Sequence, residues 1–114
     1  MTVEYVSWKQ GDPAIKADPQ VIKPKTWTSL KFGANGTLIV PKNNGAAMWS
    51  VYANISSTGG AKDVKFRFVR DPKGKADYTG IYSFDPAHEP QAHTWFFNAK
   101  KGQPVAVQIY HDGK

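Results

Sequence analysis

The chain has 114 residues, 15 Lys and Arg against 9 Asp and Glu, a formal net charge of +6, and no cysteine. That length is one domain, and the missing thiols exclude a disulfide framework, a thiolate zinc site and a cysteine nucleophile. Its apolar runs fall far short of the ~20 residues of a membrane helix, and residues 1–20 alternate charge and proline without the apolar stretch of a secretory signal.

In chain order, Val3–Trp8 is the first short strand candidate. Residues 10–26 are punctuated by Asp12-Pro13, Asp18-Pro19 and Lys23-Pro24, so residues 1–26 are expected as an extended, proline-containing N-terminal arm or edge strand lying over the sheet. A β-sandwich domain is expected over 27–114. It opens with short strands at Trp27–Phe32 and Thr37–Val40, split by the turn residues Gly33-Ala34-Asn35-Gly36. After Lys42-Asn43-Asn44-Gly45, the run Met48–Ser56 places Trp49, Val51, Ala53 and Ile55 on one face and Ser50, Tyr52, Asn54 and Ser56 on the other. Val64, Phe66 and Phe68 then alternate with Lys65 and Arg67. Asp71-Pro72-Lys73-Gly74 is the next turn, followed by candidates at Thr79–Phe84 and His93–Asn98. Lys100-Lys101-Gly102-Gln103 precedes Pro104–Tyr110, where Val105, Val107 and Ile109 alternate with Ala106, Gln108 and Tyr110. Period two is the signature of half-buried strands, and turns every 8–14 residues or so suggest a sandwich or barrel. The expectation is an all-β, single antiparallel β-sandwich.

Chemistry-bearing residues are sparse. His88, His93 and His111 accompany Asp85, Glu89 and Asp112, but the HxxxxH spacing of His88 and His93 does not converge ligands, and HExxH is absent. No serine sits in GxSxG and no glycines form a phosphate cradle. No catalytic residue, metal or cofactor is therefore expected. A small cupin-like enzyme would require the three histidines to meet. The positive charge is scattered over turn tips (Lys42, Lys62, Lys73, Lys75, Lys100, Lys101) and one outer strand face (Lys65, Arg67), which protects edges and aids solubility. It lacks the dense patch of a nucleic-acid binder. An acidic protein surface is at least as natural a partner.

Aromatics make up 13% of the chain. If Trp49, Val51, Phe66, Phe68, Trp95, Phe97, Val107 and Ile109 fill the core, Tyr52, Phe96 and Tyr110 point the other way. Large outward rings are either covered or sticky. A second copy, the N-terminal arm or a stacked sugar ring could cover them. A sugar-binding face would need an exposed aromatic pair, Trp8 with Trp27 or Tyr78 with Tyr82, beside Asp77 or Asn98.

The run Gly36-Thr-Leu-Ile-Val-Pro41, then Gly45, then Trp49-Ser-Val-Tyr-Ala-Asn-Ile55 resembles the tumour necrosis factor/C1q-like jelly roll, with its strand ending in "v-P-x-x-G" and its long aromatic/β-branched strand. Downstream, Thr94–Gly113 is similar to that family's hairpin, "strand, x-x-x-G-D/Q-x-V-x-V-x-V, turn". Trp27–Phe32 would be an early strand and Lys65–Arg70 a middle one, so the resemblance spans about residues 27–113. Versions of this size are similar to tailed-bacteriophage virion proteins. The resemblance implies a homotrimer with Tyr52, Phe96 and Tyr110 facing the axis, and Trp8, Trp27, Lys65 and Arg67 meeting a lattice or partner. It implies a capsid decoration or minor capsid protein, made in the host cytoplasm and carried in the virion, that binds the major capsid protein lattice. The alternatives are a minor tail protein domain on tail proteins, or a carbohydrate-binding module for the host surface. The sequence departs from the family by lacking its last strand pair, which closes on "F-x-G-F/Y". Either Val3–Trp8 fills the edge this leaves, a neighbour donates a strand, or the sandwich is a different and smaller one.

Overall fold

The computed structural model describes the backbone of residues 2–9, 15–16, 20–32, 36–41, 46–56, 60–86 and 91–113, with side chains over 20–32, 36–41, 60–86 and 93–113. Every regular element among them is a strand, and every pairing between strands is antiparallel. The strands are β1 (Thr2–Lys9), β2 (Ile15–Lys16), β3 (Gln20–Val21), β4 (Thr28–Ser29), β5 (Ala46–Ser56), β6 (Val64–Arg70), β7 (Asp77–Tyr78), β8 (Tyr82–Phe84), β9 (Gln91–Asn98) and β10 (Val105–His111). They form two five-stranded sheets. The first runs β2-β1-β5-β9, with β3 also on β1; the second runs β4-β10-β6-β7, with β8 also on β6.

The period-two pattern explains which faces are buried. On β6, Val64, Phe66 and Phe68 are at most 1% exposed while Lys65 and Arg67 are half-buried on the opposite face. On β10, Val105, Val107 and Ile109 are fully buried. Ile22, Leu30, Phe32 and Ile39 close the same core. The first sheet reaches it through β9: Trp95 meets Phe68 edge-on at 5.0 Å between ring centroids, and Phe97 tilts against Phe68 at 5.2 Å. Each such ring withdrawn from water contributes about 1.5–3 kcal/mol. Arg70 ties the sheets further, its Nη1 donating to the Asn98 carbonyl at 2.5 Å and its Nη2 to Asp77 Oδ2 at 2.6 Å.

A bulge lies between β7 and β8. Val69 pairs with Tyr78 and Phe66 with Tyr82, so Arg67 and Phe68 face three residues, Thr79 to Ile81. The Phe68 N–H that the ladder would leave over is taken by Thr79 Oγ1 at 3.0 Å. The Gly80 carbonyl, released from pairing, accepts the Trp95 indole N–H at 2.9 Å. The bulge therefore locks the second sheet onto β9.

Several expected boundaries move. Thr37–Val40 is not a strand: a single bridge joins Ile39 and Val105, between Gly36 at φ 63° and Pro41, which has no N–H to extend a ladder. Trp27–Phe32 shortens to Thr28–Ser29, although the Leu30 N–H still reaches the Val107 carbonyl at 2.9 Å. Thr79–Phe84 is interrupted by the bulge, so β8 begins at Tyr82. The hairpin expected over Thr94–Gly113 is absent. β9 pairs with β5 and β10 with β6, and Ala99–Pro104 carries the chain from one sheet to the other. The reason is burial: crossing sheets sets Trp95 and Phe97 against the apolar face of the second sheet instead of alongside it. The turn chemistry inside that crossing is as expected, with Gly102 at φ 82° and Gln103 N–H donating to the Lys100 carbonyl at 2.9 Å. In the N-terminal segment, β1 pairs with β5 from Thr2↔Ser56 to Lys9↔Trp49, β2 and β3 fold back on β1, and Ile22 enters the core.

Candidate functional site

The outer face of the second sheet collects the most distinctive chemistry. Alternation turns Lys65 and Arg67 of β6 and Gln108 and Tyr110 of β10 away from the core. The register aligns Arg67 with Gln108 and Gln108 with Ser29, and sets Lys65 opposite Tyr110. Trp27 lies one residue before β4, next to the Thr28↔Ile109 pair, and tilts against Tyr110 at 5.5 Å. Tyr78 sits opposite Val69, diagonal to Arg67.

These placements converge on one side chain. The Arg67 guanidinium lies 3.9 Å from the Trp27 ring centre and 4.2 Å from that of Tyr78. Its Nε donates to Gln108 Oε1 at 2.8 Å, and Gln108 Nε2 in turn approaches Ser29 Oγ at 3.4 Å. Each cation–ring contact is worth about 0.5–1 kcal/mol at an exposed site. Burial under the rings lowers the Arg67 pKa from its ordinary value, with Tyr78 acting weakly in the opposite sense. The group nevertheless stays charged at any physiological pH. Lys65 Nζ is 5.4 Å from the Tyr110 ring centre and 3.4 Å from Asp63 Oδ2. The face thus offers a planar cation held between two rings, a second ring pair and an ammonium.

Of the residues singled out in the sequence, Trp27, Lys65, Arg67 and Tyr110 come together here. Tyr52 and Phe96 belong to the first sheet, Tyr52 in register with Ala92 and Phe96 with Met48. Phe96 is 80% exposed. Tyr110 is on the second sheet, so the three aromatics do not form one patch. Trp8 pairs with Ser50 in the first sheet, apart from Trp27, and its side chain, like that of Tyr52, lies outside the described ones. Tyr78 and Tyr82 do not share a face either: Tyr82 turns inward, stacking on His93 at 4.1 Å and meeting Trp95 edge-on. The roles of Tyr78 and Gln108 around Arg67 escaped sequence reasoning, because they depend on the β7–β6–β10 register.

The histidines are accounted for structurally where they are described. His93 is packed between Tyr82 and Trp95. His111, 1% exposed, accepts the Gly113 N–H on Nδ1 at 3.1 Å, so Nε2 carries the proton it shares with the Ile22 carbonyl at 2.8 Å. His88 and Glu89 lie outside the described residues. Among the described residues no three His, Cys, Asp or Glu gather to hold a metal ion. No family model, curated protein or solved structure matches the chain.

Proposed function

We propose that this chain is a non-catalytic structural module, a jelly-roll-like β-sandwich that works by docking on a larger protein assembly. The assembly proposed is the virion of a tailed bacteriophage, with the chain as a trimeric capsid decoration or minor capsid protein made in the host cytoplasm. The observation that carries the docking reading is the Trp27–Arg67–Tyr78 stack on an outer sheet face, with Tyr110 and Lys65 beside it. Arg and aromatic groups are the residues most enriched in contact hot spots. The jelly-roll reading is supported by the long strands, which alternate between sheets: β5 in the first, β6 in the second, β9 in the first, β10 in the second. The family resemblance of Gly36–Ile55 and Thr94–Gly113 supplies the virion context.

The mechanism is multivalent. An oligomer placing several copies of one face on a repeating surface gains far more than one contact provides, and whatever binds only the intact assembly stabilises it. A net charge of +6 favours an acidic lattice and makes the on-rate salt-sensitive. The test is binding to phage capsids stripped of accessory proteins. Binding is expected to weaken at least tenfold when salt rises from about 0.05 to 0.5 M, where screening shortens to a few ångströms, and to fall again in Arg67→Ala. Absence of binding, or salt-independent binding, overturns the reading. A carbohydrate-binding module is the second reading, favoured by Tyr78, 52% exposed, on the same face as Trp27. A glycan-array signal that disappears in Trp27→Ala would put it first.

A further inference from the structure

The chain has two arginines, three residues apart on β6, and they are used differently. Arg70 has both terminal nitrogens engaged, Nη1 with the Asn98 carbonyl and Nη2 with Asp77 Oδ2. Arg67 has only Nε engaged, by Gln108, while its guanidinium carbon lies over two rings, 3.9 Å from the centre of Trp27 and 4.2 Å from that of Tyr78. Among the described residues no acceptor meets either Nη of Arg67. The guanidinium is therefore fixed in position and orientation by three partners, with its outer edge of donors left open.

We infer that this clamp is a carboxylate receptor: an Asp or Glu side chain of a protein partner docks edge-on against Nη1 and Nη2 of Arg67, in the slot between Trp27 and Tyr78. Three features favour that ligand. The planar fork matches two coplanar oxygens. The rings hold the side chain still and shed part of its water, so little ordering is left to be done on binding. The surrounding charge is also low: Lys65 is drawn to Asp63 at 3.4 Å, and Asp77 is held by Arg70. Among the described side chains that meet at this stack, Arg67 is the cation with no anionic partner, which suits a single negative charge. A phosphate backbone needs several cations in a row.

The inference rests on reading this face as the docking surface, but its test needs neither particle nor oligomer. The isotope-labelled full chain is titrated with a blocked triglutamate peptide while the Arg67 Nε–H and Trp27 indole N–H signals are followed by NMR. Saturable shifts of both are expected with triglutamate and none with triglutamine, with at least tenfold weaker binding in Arg67→Lys, which keeps the charge and loses the fork. Tyr78→Ala, on an exposed two-residue strand, provides a second variant and is expected to weaken binding several-fold. No saturable shift, equal binding by Arg67→Lys, or a preference for inorganic phosphate at matched ionic strength overturns the clamp. Triglutamate binding without capsid binding would retain the clamp and overturn the docking function alone.

Discussion

His111 closes β10 with both ring nitrogens in use, joining Ile22 of the N-terminal segment to Gly113. Substituting His111→Phe keeps a ring but leaves a buried carbonyl and a buried N–H without partners, at about 1–3 kcal/mol for each orphaned group. Urea unfolding is expected to show a combined loss of about 2–6 kcal/mol for the two groups. The neighbouring Asp112 acts through its charge. Its Oδ1 accepts the Lys62 N–H at 2.9 Å and the Asp63 N–H at 3.0 Å, and its pKa is held below the ordinary carboxylate value, first by the Asp63 bond and then by the Lys62 bond. A carboxyl whose folded pKa is depressed adds stability above its unfolded pKa and loses it as pH falls through the folded one. Asp112→Asn should therefore be less stable than the parent at neutral pH, with the difference closing once pH drops below the carboxylate range. Thermal melts from about pH 7 to 2 check this, and a gap that stays constant throughout would show that charge is not involved.

At the scale of elements, the bulge between β7 and β8 is the joint that aligns the sheets. Without the extra residue, the Gly80 carbonyl would stay in the ladder and Trp95 would bury an unpaired indole N–H. Trp95→Phe preserves most of the contact with Phe68 but removes the indole bond to that carbonyl, which keeps only the Thr79 hydroxyl at 3.1 Å, and leaves a gap beside Tyr82. A loss of about 2–4 kcal/mol is expected, combining an unmade hydrogen bond with a cavity. Faster amide exchange at Thr79, whose N–H bonds the Phe68 carbonyl at 3.0 Å, should accompany it. Normal exchange there with reduced global stability would show that the bulge stands without Trp95. The same element explains why Thr79–Phe84 looked like one strand: Tyr82, Ser83 and Phe84 alternate, and the one local mark that three residues oppose two is Gly80, a glycine inside a strand pattern.

For the molecule as a whole, the two outward surfaces present their aromatic rings differently. β9 ends the first sheet and carries Phe96, 80% exposed, whereas Tyr110 on the second sheet already packs, tilted, against Trp27. Self-association through the first sheet predicts that Phe96→Asp converts an oligomer to monomers by light scattering while Tyr110→Asp leaves the mass unchanged. The reverse pattern, or a monomeric parent, would place the contact elsewhere or remove it. Much of this architecture was readable in advance, because alternation is a local property: Val64, Phe66, Phe68, Val107 and Ile109 had to share a buried face, Lys65 and Arg67 had to lie opposite, and Gly102 had to turn the chain. Partnership was not readable. Trp27, Arg67, Tyr78 and Gln108 are brought together by strand pairings between distant parts of the chain, and β9 joins β5 instead of folding back on β10. The linear order determined which residues face inward and where the chain turns. Only the tertiary structure decided which strands are neighbours, because register is set by the burial of whole faces against each other, and with it that one arginine would stand between two rings.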